Sequence, residues 1–132
     1  MRVLIVCFGI LLSALTTEAR PIDANYTNDR FGYSISYRSD MFIAQPESDN
    51  RDGCRFVSMD NRATITTWGR YVMGSLDSEY LSAIKGKNIT YQSVHPSWFA
   101  LSGFRGSKIF YRKTLISKDG LSLHSFELEY DR

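Results

Sequence analysis

Cysteine is nearly absent from this 132-residue sequence: Cys7 and Cys54 are the only two. Histidine is as scarce, at His95 and His124, and proline occurs three times. A structural zinc site wants four ligands in recognisable pairs, so this inventory argues against one, and no metal or other cofactor is expected. No Gly-x-Ser-x-Gly elbow is present to anchor serine-type hydrolysis. Charge of one sign is also missing: sixteen Lys and Arg against fourteen Asp and Glu leave a net +2. That balance argues against nucleic-acid binding, which draws on a large basic excess.

Long apolar runs are confined to the start. Arg2 precedes Val3 to Leu15, which is broken only by Gly9 and Ser13, and Thr17 and Ala19 place small side chains ahead of Arg20-Pro21. A charged start, an apolar middle and a small-residue cut site predict a cleavable signal peptide over residues 1–19 and a periplasmic or secreted product. The run is shorter than the roughly 18–20 residues that cross a bilayer, so no stable membrane anchor is expected after cleavage. Removing it leaves 113 residues, enough for one domain. Cys54 is then the only thiol. In an oxidising compartment it is either buried as a small hydrophobe or links two chains into a Cys54-bridged dimer.

Residues 20–30 are polar and are expected to form a loose arm, with a single α+β domain over 31–132. Phe31 to Tyr37 alternates large apolar with small polar residues, the mark of a strand with one wet face. Arg38 to Gly53 reads as a loop in which Met41-Phe42-Ile43 makes a short turn against the core. Arg55 to Met59 and Arg62 to Trp68 form a hairpin turning at Asp60-Asn61, and Gly69 ends its second strand. Ser75 is placed as a helix N-cap, with Asp77 and Glu79 near the positive end of the dipole. Leu76, Tyr80, Ala83 and Ile84 share a face, and Gly86 supplies a left-handed exit.

Beyond Asn88 every signal is for strand. Ile89 to Val94, Trp98 to Ser102, Lys108 to Ile116 and Leu121 to Tyr130 are separated by His95-Pro96, a turn over Gly103 to Gly106, and Lys118-Asp119-Gly120. In the last strand the apolar phase changes from odd (Leu121, Leu123) to even (Phe126, Leu128, Tyr130), which predicts a β-bulge at His124-Ser125. The sum is an antiparallel sheet of six or seven strands with one helix on a face. The closing C-terminal helix that would cover the remaining face is absent from the sequence pattern.

The order Asn28 to Ser34, Asp52-Gly53, Ala63 to Gly69, Ile89-Thr90-Tyr91, Trp98 to Gly103 and Ile109-Phe110-Tyr111 resembles small exported proteins of alpha-proteobacteria. Those are similar in fold to the photosystem-two extrinsic protein P (PsbP-like) and to Mog-type nuclear-import factors. The resemblance implies a central antiparallel sheet between helices and carries no catalytic signature. It departs at Arg38, where Tyr-Pro is commoner than Tyr-Arg, and after the last strand, where a Pro-containing turn and a helix are usual.

The candidate chemistry is thin. Cys54 beside Arg55 has only His95 or His124 as a base for thiol catalysis. Glu127 and Glu129 fall on the outward face of the last strand if Phe126, Leu128 and Tyr130 point in. Asp49 to Gly53 lacks the spacing of a calcium loop. The remaining cluster is basic and aromatic: Arg105, Lys108, Arg112 and Lys113 in one hairpin, with Phe104, Phe110 and Tyr111 interleaved. Arg112 and Lys113 are sequential and point to opposite faces, and the plainer reading packs the aromatics inward with the cations reaching outward. The functional reading makes Arg105, Lys108, Phe110 and Arg112 a binding surface for an anionic or stacking partner. The sequence therefore predicts an exported non-enzymatic binding or accessory module with an unidentified protein or small-molecule partner. A secreted factor acting on a host, or a thiol enzyme using Cys54, are the alternatives.

Overall fold

The computed structural model describes residues 23–132; the predicted signal peptide and the first residues of the predicted arm lie outside them. The described chain forms strands β1 (Asp23–Asn28), β2 (Tyr33–Arg38), β3 (Phe42–Ala44), β4 (Gly53–Ser58) and β5 (Ala63–Tyr71). Helix α1 (Leu76–Ile84) follows, then β6 (Asn88–Val94), β7 (Trp98–Arg105), β8 (Lys108–Ile116) and β9 (Ser122–Asp131). One antiparallel sheet runs β3-β4-β5-β9-β8-β7-β6, and β1 pairs only with β2. The expected sheet of about seven strands with one helix is present, but a two-stranded layer accompanies it.

That layer overturns the expected loose arm. Asp23 to Asn28 pairs residue for residue with β2, from Asp23↔Arg38 to Asn28↔Tyr33. The segment is polar, so composition suggests a loop, yet its alternation turns Ala24, Tyr26 and Asn28 inward. Asn28 is fully buried and every polar atom of its amide is used. Its Nδ2 donates to Tyr26 Oη at 3.0 Å and to the Arg51 carbonyl at 2.9 Å, and its Oδ1 accepts from Phe31 N–H at 2.9 Å. A buried amide so satisfied fixes the hairpin against the loop before β4.

Two apolar clusters lie on opposite sides of the sheet. Leu76 and Ala83 of α1 join Phe99, Leu101, Phe110 and Leu123 on one face. Cys54, Phe56 and Ile65 pack on the other face against Tyr26, Ile35 and Tyr37 of the hairpin, with Phe126 and Leu128. The helix starts where the sequence places it: Ser75 Oγ accepts from Ser78 N–H, and Ser78 Oγ accepts in return from Ser75 N–H. Gly86 leaves the helix at φ +67°.

This two-sided arrangement explains why the predicted bulge at His124-Ser125 is not there. Both ladders of β9 run without interruption through those residues. Alternation never slips; the cover changes sides. Odd residues of β9 face the helix layer, which buries Leu123, and even residues face the hairpin layer, which takes Phe126 and Leu128. Tyr130, expected inward, joins neither cluster and is 38% exposed.

Three boundaries also move. Phe42–Ala44, expected as a turn, is edge strand β3 on β4. Gly69 does not end its strand, which continues to Tyr71; a Cβ there would sit 2.5 Å from the Phe31 ring, so packing of the β1–β2 connection demands glycine. Gly103 belongs to β7 rather than to the turn. A Cβ on it would meet the Asn88 carbonyl oxygen at 2.0 Å, beside the register shift between Ile89 and Tyr91. The sheet's bulge is thus on β6, where a neighbouring backbone approaches a strand glycine.

Candidate functional site

The pairing register puts Arg105, Lys108, Phe110 and Arg112 together on the helix side of β7 and β8. Opposite them, on the same side of β9, stand Glu127, Glu129 and Asp131. The cations are therefore already matched. Arg105 donates to Glu127 Oε1 at 2.7 Å and Glu129 Oε2 at 2.6 Å, and the Glu127 hydrogen bond raises the guanidinium's pKa. Lys108 Nζ lies 3.7 Å from Glu129 and 3.8 Å from Asp131. Glu127 and Glu129, expected on a freely solvated face, are instead held under Arg105 with side-chain exposures of 15% and 23%.

Arg112 is the buried member of this ribbon, 9% exposed. It donates to Glu79 Oε1 at 2.9 Å and to Thr114 Oγ1 at 3.1 Å, and lies 5.1 Å from the Trp68 ring centroid. Burial pulls its pKa below the ordinary arginine value. Glu79 also receives Arg70, so the first turn of α1 is tied to β5 and β8 at once. Phe110 is 1% exposed beneath Arg105. Brought together by the fold, the four residues form an ion-paired roof over the helix-side core.

The other side of the same strands differs in kind. Tyr91, Trp98, Phe104, Ile109, Tyr111 and Leu115 face away from α1, and neither apolar cluster includes them. Tyr91 is 53% exposed and Leu115 41%. His95 stacks on Trp98 with ring centroids 3.9 Å apart at 19°, and Lys113 Nζ stands 4.4 Å from the same ring. Arg132 lies 4.1 Å over Phe104. The acids of β9 all point to the helix side, so among the described residues this open face carries aromatics and cations without a carboxylate. Its origin is visible in the sequence: from Glu79 to Asp119 there are seven Lys or Arg and no Asp or Glu between them. Whole-chain neutrality hides that local excess.

The thiol and the histidines are not brought together. Cys54 is 7% exposed, its Sγ donates to the Gln45 carbonyl at 3.1 Å, and burial raises its pKa. Strand β5 stands between Cys54 on β4 and His124 on β9, a separation of about 10 Å across the sheet. His124 packs on Tyr33 and meets Ser122 Oγ at 3.2 Å. His95 lies beyond Val94 and contacts Ser93 and Trp98. Among the described residues no group of three His, Cys, Asp or Glu is placed to hold a metal ion.

No protein-family model matches the chain, and no curated protein matches it significantly.

Proposed function

We propose that the chain is an exported, non-enzymatic binding domain that meets an anionic partner through the open face of β6, β7 and β8. One observation carries the reading: this face holds Tyr91, Trp98, Tyr111 and Leu115 with Lys113, and among the described residues no carboxylate opposes them. An apolar patch left on a folded domain marks an interaction surface, and its uncompensated cations set the sign of the partner. The signal-peptide pattern and the resemblance to small exported proteins support a role in the cell envelope or outside the cell.

Export predicts that mass spectrometry of the recovered protein finds Arg20 at the N-terminus. Binding is tested by parallel pull-downs with wild-type, Trp98→Ala and Arg105→Ala baits. The reading expects Trp98→Ala to lose the partner and Arg105→Ala to retain it. Equal recovery by all three baits, at equal fold content, overturns it.

A further inference from the structure

The open face runs out to an open edge. Among the described residues strand β6 ends the sheet order and pairs only with β7. The opposite edge strand, β3, has three residues; β6 has seven, Asn88–Val94, with no charge and no proline among them. Edges of this length are ordinarily blunted by charge or proline, because their unpaired backbone groups accept another strand. On β6 the bulge at Thr90 disturbs only the first part. From Tyr91 onward the register is regular.

The direction of the free groups can be read from the ladder. His95 N–H donates to the Trp98 carbonyl at 2.9 Å. Antiparallel pairing alternates bonded and non-bonded residues, so Tyr91, Ser93 and His95 spend their backbone groups on β7. The N–H and C=O of Gln92 and Val94 then point out of the sheet. Lys85 and Lys87 precede this edge and His95 follows it.

Resting on the binding role proposed above, we propose that the partner presents an extended acidic segment that adds as a strand along β6. Its backbone pairs with Gln92 and Val94. Apolar residues at alternate positions of the added strand continue the row formed by Tyr91 and Tyr111 across the sheet. Its carboxylates meet Lys85 and Lys87, which lead into this edge. Main-chain bonds supply affinity and the alternate side chains supply selectivity in this mode.

The probe is a fluorescein-labelled peptide of about ten residues alternating glutamate with valine and tyrosine, titrated by anisotropy into the purified full chain. Binding is expected to weaken about tenfold with Gln92→Pro, which removes an outward donor and leaves the native ladder bonds intact. A probe N-methylated at alternate amides, and one carrying lysine for glutamate, are each expected to lose about tenfold on the unaltered protein. Tight binding of the N-methylated probe, or no binding of the parent probe, overturns the strand addition. If binding fails with Trp98→Ala but survives both Gln92→Pro and N-methylation, the open face stands and the edge assignment falls. A dimer that Gln92→Pro dissociates assigns the edge to a second copy instead, and also overturns the proposal.

Discussion

The two sides of β8 carry adjacent residues with opposite fates. Arg112 points to the helix side, where Glu79 and Thr114 receive it and Trp68 flanks it. Lys113 points to the other side and meets only the Trp98 ring among the contacts described. One side has acids from β9 and α1 and closes into a neutral, half-buried ribbon. Among the described residues the other has aromatics and no acid, and stays open. A charge count over the hairpin cannot separate them, because strand alternation sends neighbours to different environments. A basic cluster is a binding surface only on the side that lacks its own counter-ions.

The largest expected effect tests the strand on which both sides depend. β9 lies between β5 and β8 and donates Leu123 to one cluster and Phe126 and Leu128 to the other. Deleting Leu121 to Arg132 is expected to abolish folding, seen as loss of the cooperative thermal transition. A surviving transition would mean that the two layers do not share β9 as their centre.

Next comes the neighbouring pair. Arg112→Ala removes a buried cation from Thr114 and from Glu79, which keeps Arg70, and is expected to cost about 2 kcal/mol, the range for a lost charge-assisted hydrogen bond. Lys113→Ala removes an exposed contact and is expected to cost less than about 0.5 kcal/mol. Urea unfolding of both variants measures the difference. Equal losses would show that the two sides of β8 are energetically alike.

The smallest effect concerns His124, where the hairpin layer meets the sheet. Burial holds its pKa below 6.5. The unfolded chain therefore takes up the proton at a higher pH than the folded chain does. Stability from the neutral imidazole is complete above 6.5 and is lost as pH falls through the folded value. His124→Asn is expected to flatten the fall in thermal midpoint between neutral pH and about pH 5. An unchanged slope would place the acid sensitivity elsewhere.

Local signals were legible wherever one residue type answers a local need. Ser75 caps a helix, Gly86 exits it at positive φ, and Asn61 at φ +58° turns the β4–β5 hairpin. Signals that depend on a distant partner were misread. Asn28 looks like a loop residue until the Arg51 carbonyl receives it, and Gly103 looks like a turn until the Asn88 carbonyl crosses it. The four predicted binding residues do share a face, but Glu79, Glu127 and Glu129, which pair with Arg112 and Arg105, come from elsewhere in the chain. Phe104, Tyr111 and Lys113 fall in the predicted hairpin cluster, but their shared face was missed because Tyr91, Trp98 and Leu115 complete it from outside that cluster. The carboxylate-free stretch from Glu79 to Asp119 was the signal that pointed to it.

By itself the sequence determined the strand periodicities, the single helix with its caps and the antiparallel class of sheet, since these follow from spacing and from local backbone preference. Only the tertiary structure decided which side of each strand is covered. Alternation offers every strand two faces, and the apolar change along β9 records a change of cover, from α1 on one side to the β1–β2 hairpin on the other. Burial is a property of what lies opposite, and no local pattern states what that will be.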